Sequence, residues 1–102
     1  MNADEILQSY SGYGIWYADE LLLPPPKALE LVDAIHAAGI SIVGVDTWSK
    51  VGGSIVEIHN GFSFDTELRS TNPVDATYAS ALDCIHHDLP TDANFVSLLL
   101  RE

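Results

Sequence analysis

Gly39 is followed at once by Ile40-Ser41-Ile42-Val43-Gly44-Val45-Asp46-Thr47-Trp48, a β-branched run that is apolar on both faces. A strand of this kind is stable only when other layers cover it, so the fold must be built around this segment. With 102 residues there is room for one domain, residues 1–102, and one modest core. The hydrophobic fraction of 47% supplies that core.

The cover must come from the flanking segments. Upstream, Pro24, Pro25 and Pro26 impose extended backbone, and Pro26 or Lys27 can open a helix because a first-turn residue has no helical acceptor to find. Ala28, Leu31, Val32, Ile35 and Ala38 then recur at helical spacing, and Gly39 stands where a helix C′ glycine belongs. Downstream, Gly52-Gly53 supplies a turn and Ser54 to His59 a second strand, with Val56 and Ile58 on one face. So short a connection favours antiparallel pairing. Asn60-Gly61 is a second turn signal, after which Phe62 and Phe64 extend the sheet or pack as an apolar loop.

Asn72 caps a further helix with Pro73 at its first position. Its stripe is Val74, Tyr78, Ala81, Leu82, Ile85 and Leu89, and Pro90 lies past its end. Asn94 to Leu100 reads as the last strand and Ala3 to Ser9 as a short first helix. The expected architecture is α+β: a small, mostly antiparallel sheet of about three to four strands with two main helices packed on one face. Ile42, Val43, Val45, Val56, Ile58, Leu82, Ile85 and Leu98 are the expected core.

Four Lys and Arg stand against fifteen Asp and Glu, a net charge of −11. Residues 1–38 carry −5, residues 39–64 carry −1 and residues 65–102 carry −5, so the near-neutral middle is the stretch assigned to buried strands. The imbalance argues against nucleic acid, which is bound by clustered Lys and Arg, and against an anionic membrane surface. No apolar run approaches the ~20 residues of a membrane-spanning helix. The first residues, Met1-Asn2-Ala3-Asp4-Glu5, carry acids where a secretory signal carries bases. A single cysteine, Cys84, forms no internal disulfide, and the expected compartment is the cytoplasm.

Residue types that carry chemistry are present but not arranged for it. Asp83, Cys84, His86, His87 and Asp88 form the one cluster of metal-ligand types, yet His86 and His87 point about 100° apart on a helix. Histidines at a helix C-terminus also suit the dipole without any metal. No serine lies in a Gly-x-Ser-x-Gly elbow, and Cys84 is far from a helix N-terminus that would activate it. Gly52-Gly53 lacks the phosphate-loop spacing, and no strand precedes Tyr10-Ser11-Gly12-Tyr13-Gly14. The expectation is no catalytic residue, no cofactor and no metal.

The segment from Tyr10 to Glu20 places four aromatics among small residues and ends in Asp19-Glu20. It reads either as cover for a sheet edge or as a recognition loop, since Tyr and Trp dominate binding hot spots and acids select a basic partner. Asp46 and Trp48, near the end of the first long strand, read as an acid and an aromatic projecting into solvent. The candidate partner-binding residues are therefore Trp16, Tyr17, Asp19, Glu20, Asp46 and Trp48. Asp65 and Glu67 join them if the loop before the second long helix folds alongside.

Trp16-Tyr17 ahead of the first long helix, the run Ala28-Leu29-Glu30-Leu31-Val32, and Ala38-Gly39-Ile40 leading into Gly44-Val45-Asp46-Thr47-Trp48 carry a family likeness. This layout resembles the small immunity proteins of bacterial polymorphic toxin systems, most of all the immunity protein 40 class. The resemblance covers about the first half of the chain; the second half matches in pattern alone. It implies a cytoplasmic antidote, encoded beside a toxin, that binds the toxin domain and blocks it. Many toxin domains are nucleases with basic active sites, toward which an acidic inhibitor is steered. The residues leave two other readings open: a small acidic enzyme or metal-binding domain using the Cys84, His86 and His87 helix, or a non-catalytic subunit of a larger assembly.

Overall fold

A computed structural model describes residues 1–102. The run after Gly39 becomes β3 (Ser41–Val51), the central strand of a three-stranded antiparallel sheet whose outer strands are β4 (Ser54–Ser63) and β5 (Phe95–Arg101). Ahead of it come α1 (Ala3–Ser9), a single 3-10 turn at Ser11–Tyr13, the hairpin β1 (Ile15–Tyr17) and β2 (Glu20–Leu22), and α2 (Pro25–Ala37). After β4 follow α3 (Asp65–Leu68) and α4 (Pro73–Asp83), which runs into one π turn at Cys84–Asp88. The fold is α+β, with four α-helices and two antiparallel sheets of two and three strands.

The helix ends follow their capping chemistry. Asn2 and Glu5 form a reciprocal capping box on α1, and the Asn72 side chain accepts from the Asp75 N–H on α4. Helix α2 opens at Pro25, one residue ahead of the expected start. Gly39 closes it at φ +74, with the Ile40 N–H reaching back to the Ile35 carbonyl.

Helices α2 and α4 pack on β3 and β5, and the core lies between these layers. Ile42 and Val45 both enter that core although they stand three positions apart, which strict alternation forbids. The register slips between Ile42 and Gly44, and the extra residue turns Ile42 back toward the helices. The Ile42 N–H at this irregularity donates to Thr77 Oγ1 of α4 at 3.0 Å, and Thr77 in turn donates to the Pro73 carbonyl.

Four of the expected core residues, Ile42, Val45, Ile85 and Leu98, are buried. Val43, Ile58 and Leu82 are half-buried and Val56 is exposed. The helices lie over β3 and β5, so Val56 and Ile58 on the outer strand β4 lack that cover. Asn60-Gly61 makes no turn. It forms a bulge inside β4, with His59 at φ +55 and Gly61 at φ +65, so the strand continues through Phe62 to Ser63. Phe64 is buried at the mouth of α3.

The sequence pattern contains no counterpart of the β1–β2 hairpin. Its turn is Ala18-Asp19, with Ala18 at φ +53. A Cβ at Gly14 would run into the Leu22 carbonyl, so glycine is required where the chain enters β1. Paired backbone bonds between Leu23 and Val96, 2.9 and 2.8 Å, tie the hairpin's base to β5.

Candidate functional site

Alternation on β3 puts Val45 and Thr47 toward the helices and Asp46 and Trp48 on the opposite face. The N-terminal hairpin folds onto that face. The Tyr17 ring lies 5.3 Å from the Trp48 ring, centroid to centroid, tilted by 51°. Trp48 is only 5% exposed, so it does not project into solvent as expected. The strand runs on to Val51, and the indole lies along the sheet face beneath Tyr17.

A short relay links three strands here. Trp48 Nε1 donates to Ser97 Oγ at 2.9 Å, and Ser97 Oγ donates to Glu20 Oε1 at 2.9 Å. Ser97 sits directly opposite Asp46 in the β3–β5 register, and Glu57 sits opposite Trp48 in the β3–β4 register. Glu20, Asp46 and Glu57 thus meet on one face. Asp46 is pushed up to about 6 by burial first, then by the neighbouring Glu20 carboxyl and the charges of Glu57 and Glu20. The bulge in β4 makes room for this carboxyl: a Cβ on Gly61 would meet Asp46 Oδ1 at 2.6 Å.

The outer side of the hairpin faces solvent. Ile15, Trp16 and Tyr17 are 40, 39 and 47% exposed, and Asp19 is exposed in the turn between the strands. Beside the hairpin lies a groove of about 410 Å³ with Leu98 and Leu100 on its floor and Asp4, Asp19, Glu20 and Glu102 around it. Apolar floor and acidic rim suit a basic side chain with an aliphatic stem.

Of the eight candidate residues, six therefore gather at the hairpin: Trp16, Tyr17, Asp19 and Glu20 on it, Asp46 and Trp48 beneath it. Asp65 and Glu67 do not join them. They lie on α3, which follows the Phe64 N–H bond to the Val43 carbonyl and packs against α4. From Val43 to Trp48 is about 17 Å of strand. Sequence reasoning missed Glu57 and Ser97. Glu57 was readable, because it alternates with Val56 and Ile58; Ser97, in an apolar strand, gave no signal.

The histidine helix is arranged differently. Cys84 is buried and its thiol is pushed up to about 12 by burial, with Asp88 and Asp83 adding to the effect. Such a thiol carries almost no thiolate at neutral pH. His87 Nδ1 lies 3.0 Å from Asp83, and both His86 and His87 are exposed. No family model, curated protein or solved structure matches the chain.

Proposed function

We propose that this chain is a binding protein that neutralises a basic bacterial toxin domain, the role its resemblance to the immunity proteins implies. The observation that carries the reading is the hairpin, where Trp16 and Tyr17 stand exposed beside Asp19 and the acid-rimmed groove. A net charge of −11 attracts a basic partner from beyond contact distance and raises the encounter rate. Once docked, Trp16 and Tyr17 lose water against the partner and slow its release. The acids around the groove then pair with the Lys or Arg side chains a nuclease uses on phosphate. Blocking those side chains stops the toxin without any reaction on this chain.

The test uses the C-terminal domain of the protein encoded by the adjacent gene. Expressed alone, that domain should arrest growth, and co-expression of this chain should restore it. Asp4→Lys with Asp19→Lys should weaken the rescue while leaving the fold intact. A neighbouring domain that is harmless, or toxic despite co-expression, would overturn the reading.

A further inference from the structure

The base and the tip of the hairpin are held by different forces. At the base Leu21, Leu22 and Leu23 are buried, and the Leu23–Val96 bonds fasten them to β5. The tip, residues 17–20, has two side-chain attachments: the Tyr17 ring over Trp48 and the Ser97 Oγ bond to Glu20. Glu20 sits among other acids, so its seat depends on where a proton resides. We propose that the hairpin tip is a pH-operated clasp, seated by the carboxyl proton of Asp46 against Glu20 and released to uncover Trp48 when that proton leaves for solvent.

With the proton on Asp46, its carboxyl O–H donates to the Glu20 carboxylate, which also accepts from Ser97. Two strands and the hairpin are then tied through one carboxylate. Without it, Glu20 faces a second anion across a partly desolvated gap, with Glu57 adding a third. The other neighbours do not offset this. Strand β5 offers the neutral Ser97 hydroxyl, β1 offers Tyr17 over the Trp48 ring, and the β4 bulge offers Gly61 and His59, whose Nε2 lies 3.6 Å from Asp92 Oδ1. Asp4 of α1, Asp19 of the turn and Glu102 line the groove that Glu20 also lines. Lys50, four residues along β3, makes no bond to any of the three carboxylates, and neither does Arg101. Repulsion therefore acts at the tip while Leu21–Leu23 stay anchored, and the hinge falls between Glu20 and Leu21. The clasp holds whatever partner the hairpin takes.

Acrylamide quenching of Trp48 fluorescence reads the clasp directly, in a Trp16→Phe background that leaves one indole. Quenching should rise several-fold between about pH 5 and about pH 8, with its midpoint near pH 6 and far-UV circular dichroism unchanged. Asp46→Asn, which carries its own donor and cannot ionise, should keep quenching low throughout. Glu57→Gln, on the exposed edge strand, should shift the midpoint downward, because Glu57 stays beside Asp46 on the sheet and its charge helps to hold the proton on Asp46. Quenching that is flat with pH in the parent would overturn the clasp. So would an unchanged step in Asp46→Asn, which would assign the transition to a histidine. Should Asp46→Asn fail to fold, a midpoint in Glu57→Gln that stays in place or moves upward would overturn the clasp instead, and a downward shift would support it.

Discussion

Trp48 Nε1 donates to Ser97 Oγ across the β3–β5 pair at 2.9 Å, and the indole is buried as it does so. The hydroxyl passes the bond on to Glu20, so one small side chain satisfies an aromatic below and holds a carboxylate above. Ser97→Ala leaves the indole N–H without an acceptor and Glu20 without its donor. An unsatisfied buried donor costs about 1–3 kcal/mol, and urea denaturation should find a loss in that range. A loss below about 0.5 kcal/mol would mean that water replaces the hydroxyl.

Thr77 has a similar position on the other face. Its hydroxyl accepts from the Ile42 N–H where the β3–β5 register slips, and no exposed surface remains on it. Thr77→Val keeps the shape and removes the acceptor, so it should cost about 1–3 kcal/mol. Exchange of the Ile42 amide hydrogen should quicken more than that of Val45, whose neighbours are unchanged.

The stability of the protein should depend on pH through Asp46. Its folded-state value, about 6, lies above the ordinary 3.8, so the folded chain binds the proton more tightly than the unfolded chain. This contribution is fully present below about pH 4 and is lost as pH rises through about 6. Asp46→Asn removes the loss. Discounted for the solvent that reaches this half-buried carboxyl, the variant should be more stable than the parent by about 1 kcal/mol at neutral pH. The difference should vanish near pH 4. Chemical denaturation of both proteins across that range measures it, and an unchanged difference would contradict the burial argument.

Ile42→Ala should cost about 2–5 kcal/mol and Val56→Ala no more than about 0.5, although both are β-branched strand residues. The contrast marks what the sequence could and could not convey. The run after Gly39 announces a central strand because only a covered strand is apolar on both faces. Gly39, Asn72 and Pro73 mark helix ends because their backbone chemistry is local. Which strand lies outermost is a property of the whole sheet, so the alternation of Val56 and Ile58 looked like that of a covered strand. The β1–β2 hairpin was hidden for another reason. Three-residue strands are too short to show a period, and Ala18 is not a residue that announces a left-handed turn. Without the hairpin, Trp48 had no visible cover and read as a projecting anchor. The acid and aromatic residues of the site were legible as types; their meeting under Tyr17 was not.

The division of labour at the proposed interface gives the last prediction. Asp4 and Asp19 stand at the groove without a hydrogen-bonding partner in the fold, so reversing them changes the field and not the packing. Against the cognate toxin domain, Asp4→Lys with Asp19→Lys should slow association, and the slope of association rate against salt should flatten. Dissociation should change less. Trp16→Phe keeps an aromatic on β1 opposite Leu21 but loses contact area, so it should act mainly on dissociation. Stopped-flow mixing over a range of salt separates the two effects. Association unaltered by the double reversal at low salt would mean that the toxin docks elsewhere, and that the acids around this groove serve solubility alone.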